Sequence, residues 1–234
     1  MRILFIIVVF LFSCNSLIAQ LVPRITLIDL GEMASKTTRP ASQWQKNHTS
    51  FIEGSQYLDE NWGKGTLIMN NDTLVEGLDF RYNIYAHEMQ IKINKDTLAF
   101  TRPDLIRTLV FNNRTFVYGD YMNNMISGKD YFELLVDGKC KLLLKREITF
   151  LAKNPPVSPL SGGYENDRLI LKDNIFYLQS KGSVATFVKS NKRSFLSQLG
   201  DHQSELIKFI KDEKIHFTDK KDVTKLIIYY NNLN

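Results

Sequence analysis

The chain has 234 residues, 44% of them hydrophobic, and its 30 basic and 25 acidic side chains give a formal net charge of +5. That length allows one sizeable domain or two small ones, and the apolar share supports a packed interior. The charges are mixed, without a long basic block, which argues against nucleic acid as a partner.

Met1-Arg2 is followed by ten unbroken apolar residues, Ile3 to Phe12, then polar Ser13-Cys14-Asn15-Ser16 and Leu17-Ile18-Ala19-Gln20. A basic start, an apolar middle and a small residue before the cut form the layout of a secretory signal. The apolar run is half of the ~20 residues that a membrane-crossing helix needs. Residues 1–19 therefore read as a signal peptide, and the protein is expected in the periplasm or cell envelope, or released beyond it. The preferred cut falls after Ala19 and leaves Gln20 as the N-terminus. The alternative uses Leu11-Phe12-Ser13-Cys14, which resembles a bacterial lipobox despite bulky Phe12, and lipidates Cys14. Only in that case is a membrane expected as a partner.

With the cut at Ala19, Cys140 is the one cysteine left. Neither an intramolecular disulfide nor a thiolate metal cluster can then form, and Cys140 reads as a small buried apolar residue.

Residues 20–56 carry little periodicity and read as an extended, partly flexible lead segment. From Tyr57 the pattern becomes period two. Phe80, Tyr82 and Ile84 alternate with Arg81 and Asn83; Met89, Ile91 and Ile93 alternate with Glu88, Gln90 and Lys92; Phe132, Leu134 and Val136 repeat the pattern. Turn pairs separate such runs at Asn71-Asp72, Asn112-Asn113 and Asp137-Gly138. Asp137-Gly138 carries the strongest sequence signal for a type I′ turn. Residues 57–152 thus read as an antiparallel β meander that curls into a sheet, barrel or sandwich. A Pro/Gly connector spans 153–167. A final hairpin is expected from Arg168–Leu171 and Ile175–Gln179. Helical spacing follows: Val184, Phe187 and Val188 behind a Ser183 cap, Leu206, Phe209 and Ile210 behind Asp201, and Val223, Leu226, Ile227 and Tyr230 behind Asp219. Residues 168–234 are therefore a hairpin plus short amphipathic helices packed on the β domain, and the fold class is α+β.

Reactive constellations are scarce. His48, His87, His202 and His216 lack the mutual spacing of a metal site, and His87 and Glu88, adjacent on a strand, should face opposite ways. No Gly-x-Ser-x-Gly, Walker loop or Asp-x-Asp-x-Asp calcium loop occurs. No catalytic, cofactor or metal residues are assigned, and no cofactor is expected. Aromatics concentrate in the meander. Trp62, Tyr82, Tyr118 and Tyr121 are the candidates for a binding surface, against the plainer reading that they pack the core. Asn47, Asn71 and Asn113 stand in N-glycosylation sequons. Asp72-Thr73-Leu74 and Asp96-Thr97-Leu98 match a short O-glycosylation motif, but both sit where a turn enters a strand.

Several stretches resemble a loosely defined group of uncharacterised exported proteins of Bacteroidota. They are Leu17-Ile18-Ala19-Gln20; Trp62-x-x-Gly65-Thr66 with Leu78-x-Phe80-Arg81-Tyr82-Asn83; Phe132 to Lys139 followed by Lys141-Leu142-Leu143; and Phe209-Ile210-Lys211 through Tyr229-Tyr230-Asn231. The resemblance spans roughly 57–233 and implies a signal, a β meander and a helical end, but no activity. The leading expectation is a non-enzymatic binding or interaction module, its partner an envelope protein or glycan. The rivals are a hydrolase with dispersed carboxylates and a membrane-tethered structural lipoprotein.

Overall fold

The computed structural model describes residues 36–42, 52–152 and 166–233. The expectations for Cys14, Ala19, Gln20, Asn47 and His48, most of the lead segment, and residues 153–165 of the connector lie outside the described residues. The chain is α+β. Its strands are β1 (Thr38–Pro40), β2 (Ile52–Glu53), β3 (Gly63–Met69), β4 (Leu74–Asn83), β5 (Glu88–Ile93), β6 (Asp96–Phe100), β7 (Ile106–Phe111), β8 (Arg114–Asn123), β9 (Ile126–Val136), β10 (Cys140–Lys145), β11 (Ile148–Leu151), β12 (Asp167–Leu171), β13 (Ile175–Ser180) and β14 (Ala185–Phe187). The helices are α1 (Lys192–Leu199), α2 (Gln203–Asp212) and α3 (Lys220–Asn232).

Eleven strands form one sheet in the order β1-β6-β5-β4-β3-β7-β8-β14-β13-β10-β9, and β9 pairs back onto β8. Strands β8, β14, β13, β10 and β9 thereby close a five-strand barrel, while β7 through β1 continue from β8 as an open sheet. A small second sheet runs β11-β12-β2.

The period-two pattern sorts side chains into three apolar clusters. Along β10 and β13, Leu142, Leu144, Phe176 and Leu178 face the helices, and Leu143 and Tyr177 face the barrel interior with Phe132 and Ala185. Phe80, Tyr82, Met89, Ile91, Leu109, Phe111 and Phe116 form the core of the open sheet. Glu88, Gln90 and Asn83, on the other face of β4 and β5, are buried too. Polar contacts satisfy them: Arg39 pairs with Glu88, the Ser42 amide donates to Glu88 at 3.0 Å, and the Asn83 amide donates to Gln56 at 3.3 Å. The described parts of the lead segment are thus built into the fold, with β1 on β6 and β2 on β12.

The turn residues behave as asparagine-rich hairpins should. Asn112 (φ 49°) and Asn113 (φ 56°) both take the left-handed backbone that a type I′ turn demands. Asp137 and Gly138 do not. The innermost pair of that hairpin is Val136↔Leu142, so its loop is longer than two residues. Gly138 has a different reason to be glycine: a Cβ there would lie 2.5 Å from Asn231 Nδ2. The Asn231 side chain uses that space to accept from the Cys140 N–H and donate to the Cys140 carbonyl, both at 2.9 Å.

Three expectations for the C-terminal part are corrected. Residues 184–188 are not a helix: β14 pairs with β13 and, in parallel, with β8, and α1 begins only after an Asn191 cap. Strands β12 and β13 are not a hairpin: β12 joins β11 and β2, while β13 pairs with β10. Strand β13 carries apolar side chains on both faces and gains more by entering the barrel wall, where both are covered. Asp201 does not cap α2, whose N-cap is His202. Asp219 does cap α3, accepting from the amides of Lys221 and Asp222, and Val223, Leu226, Ile227 and Tyr230 are buried as their spacing requires.

Helix α3 is held at both ends, by Lys220 on the buried Glu133 carboxylate and by Asn231 on Cys140. Replacing Asn231 with Ala removes both hydrogen bonds to Cys140 and orphans a part-buried N–H. Urea unfolding should show a loss of about 1–3 kcal/mol.

Candidate functional site

Strand β8 is long enough to serve both the barrel and the open part of the sheet. Along one edge it pairs with β9 from Phe116 to Asn123. The opposite edge is divided: β7 takes residues 114–116 and β14 takes 121–122. Residues 117–120 of that edge pair with no strand among the described residues. Strand β7 pairs with β3 along its whole length, from Phe111↔Gly65 to Ile106↔Met69, but with β8 only through Leu109–Phe111, and Arg107 is tied to Asp72 in the β3–β4 turn.

The fork opens a cleft of about 180 Å³ into the side of the barrel. Its apolar lining is Val117, Phe132, Leu143 and Ala185; Arg107, Tyr118, Asp120, Lys141 and Gln179 supply the polar part. Gly119 lies between them, and a side chain added there meets nothing within 4 Å. A glycine inside a strand otherwise rich in large residues thus keeps the opening clear. The polar groups are anchored from outside: Lys141 to Asp137 at 3.0 Å, Asp120 to Lys129 at 3.5 Å, and the Gln179 amide to the Ser183 carbonyl at 2.9 Å. Such a cleft can seat an apolar group and meet a polar or acidic one with Arg107 and Lys141.

Buried charge accompanies the apolar barrel interior. Lys145, two residues beyond Leu143 on the same face, has its ammonium 3.1 Å from both Asp130 and Glu147 and 4.3 Å from the centre of the Tyr121 ring. The side chains of Asp130 and Lys145 are each 6% exposed. His87 Nδ1 lies 3.0 Å from Asp130, the Tyr131 amide donates to Asp130 at 2.8 Å, and Lys172 donates to Glu147 at 2.9 Å. Burial pushes the Asp130 carboxyl up, but His87 and Lys145 outweigh it and hold it below the ordinary aspartate value. Burial likewise raises Glu147, and Lys172 and Lys145 bring it below its usual value. Burial lowers Lys145, and Asp130 and Glu147 more than restore it. The hydrogen bond to Asp130 raises His87 more than burial lowers it. The network is a set of mutually stabilised charges.

The four aromatics singled out in the sequence do not share one surface. Tyr82 is 1% exposed, with its hydroxyl buried and unpartnered among the described residues. The Arg81 guanidinium lies over the Trp62 ring, 4.4 Å from its centre, and over the Tyr57 ring at 3.6 Å. Tyr118 lies at the cleft and packs edge-on against Tyr131, and Tyr121 turns into the barrel against Phe132 and Tyr177. Only Tyr118 touches the cleft. Cys140 is buried, and burial pushes its thiol up to about 11, far from a reactive thiolate. Among the described residues no three His, Cys, Asp or Glu side chains are placed to hold a metal ion, and no helix is long and apolar enough to cross a membrane.

No protein-family profile matches the chain, no curated protein is significantly similar to it, and no solved structure matches it.

The His87–Asp130 contact has a pH signature. Because the folded-state His87 pKa is raised above the unfolded value near 6.5, its stabilising contribution is complete below that value and is lost as pH rises through the folded pKa. Urea midpoints of the wild type should fall as pH rises from 6 to 8, and His87→Gln should flatten that slope. Equal slopes in the two proteins would mean that the contact contributes nothing.

Proposed function

We propose that the chain is an exported cell-envelope protein that binds rather than catalyses, and that the cleft at the β8 fork is its binding site. The carrying observation is the opening itself: an apolar floor inside the barrel, Arg107 and Lys141 beside it, and open space at Gly119 that only a large side chain would fill. A cleft of this size suits a small molecule with an apolar body and an acidic or polar group. The polar face of an oligosaccharide would find few partners on Val117, Phe132, Leu143 and Ala185. Residues 1–19 and the resemblance to exported Bacteroidota proteins support the location.

The hydrolase alternative needs a carboxyl group held protonated near neutral pH. Asp130 and Glu147, the carboxylates that converge on Lys145, are both lowered instead. That favours binding over acid catalysis by this pair.

The test is an NMR titration with small aromatic carboxylates, benzoate first. Shift changes should cluster at Val117, Gly119, Leu143 and Ala185, and Gly119→Phe should weaken binding at least tenfold while leaving the thermal midpoint within a few degrees. Shifts centred elsewhere, or affinity unchanged by Gly119→Phe, would refute the site.

A further inference from the structure

The β8–β9 hairpin turns at Asn124-Met125 and exposes three apolar side chains at its end. Met125 is fully exposed, Ile126 is 67% exposed and Met122 47% exposed. Beside the tip runs the segment that follows β14. The parallel register Thr186↔Met122 brings residues 187–189 alongside it, and Asn124, Phe187, Lys189 and Arg193 line one concavity of about 450 Å³. The charge distribution there is one-sided. Residues 121–129 and 181–200 contain no Asp or Glu. Lys189, Lys192 and Arg193 are exposed and have no ion-pair partner among the described residues.

We infer that this tip and its cationic flank dock the protein on an anionic lipid surface. Apolar side chains at the extremity of a hairpin can enter the headgroup–acyl boundary without unfolding anything. Cations one side chain away then lie at the level of the lipid phosphates. A stable protein partner would want a broad, closely packed patch of about 1,000 Å² or more, whereas the hairpin end offers three exposed apolar side chains. The chain's net charge of +5 has the sign that an anionic surface attracts. This contact is independent of the cleft, which opens elsewhere along β8, and of any lipid on Cys14.

Vesicle co-sedimentation tests it, with the protein starting at Gln20 so that the apolar run Ile3 to Phe12 contributes no binding. Vesicles of phosphatidylcholine with 30% phosphatidylglycerol should bind the protein, and pure phosphatidylcholine should bind it at least tenfold less. Raising salt from 50 to 500 mM should release it. Met125→Ser with Ile126→Ser, and separately Lys189→Glu with Arg193→Glu, should each reduce binding at least tenfold. Both double variants sit on exposed side chains and should keep the wild-type thermal midpoint. Absence of binding to the anionic vesicles, equal binding to neutral ones, or binding untouched by both variants would overturn the inference. So would a concentration-dependent dimer that the Met125 and Ile126 changes dissolve, since the tip would then seat on a second copy of the chain.

Discussion

Strand β8 is the constraint on which the rest of the structure depends. It must satisfy β9 along one edge and two unrelated strands along the other, and no single partner can follow it along its whole length. Strand β7 is committed to β3, whose apolar side chains belong to the open sheet's core; β14 is committed to β13 and the barrel. The handover from one to the other leaves four residues of edge without a strand. Exposed edge backbone is ordinarily a liability. Here it faces a small cleft between β7 and β14.

Closing a barrel of only five strands leaves little interior to fill, and the chain fills part of it with charge. Removing Lys145 and Asp130 from water costs several kcal/mol per ion before their attraction repays it. The arrangement is tolerable because both ions have several partners: the Lys145 ammonium has two carboxylates and a ring face, and Asp130 has an imidazole, an ammonium and a backbone amide. Such a network adds little net stability over apolar packing of the same volume. It does link β9 to β10 through Asp130 and Lys145, and it ties the β4–β5 turn through His87 to the barrel.

Much of the architecture was legible in local sequence. Alternation from Phe80 to Ile93 predicts paired strands with alternating faces, and the strands follow it. On β9 the series Phe132, Leu134, Val136 breaks, because a register shift opposite Leu142 and Leu143 leaves Phe132 and Leu134 facing the barrel and turns Val136 to the helices. Asn112-Asn113 marks a two-residue turn that forms as such, and the i, i+3, i+4, i+7 series behind Asp219 gives α3 with its buried residues. The failures share a cause. Val184, Phe187 and Val188 fit a helical spacing, but three residues cannot decide a period, and β14 is made a strand by pairing with β13 just before it and with Tyr121 and Met122, some sixty residues away. The nearness of β12 and β13 in sequence suggests a hairpin, yet the two-faced burial of Phe176, Tyr177 and Leu178 sends β13 into the barrel wall. The cleft was least visible, since a fork is a property of three strands at once. Its only local trace is Gly119, a glycine within a strand of large residues. The buried ion network has a similar trace in Lys145, a charge in phase with Leu143 on an apolar face.

Strand β8 is shared, with β7 paired to 114–116, β14 to 121–122, and no strand between among the described residues. Interstrand nuclear Overhauser contacts read this directly. The account predicts cross-peaks linking Leu109 with Phe116 and Ala185 with Tyr121, and none from β7 to residues 118–120. Continuous β7 contacts along β8 as far as Asp120, with β14 unpaired, would contradict it.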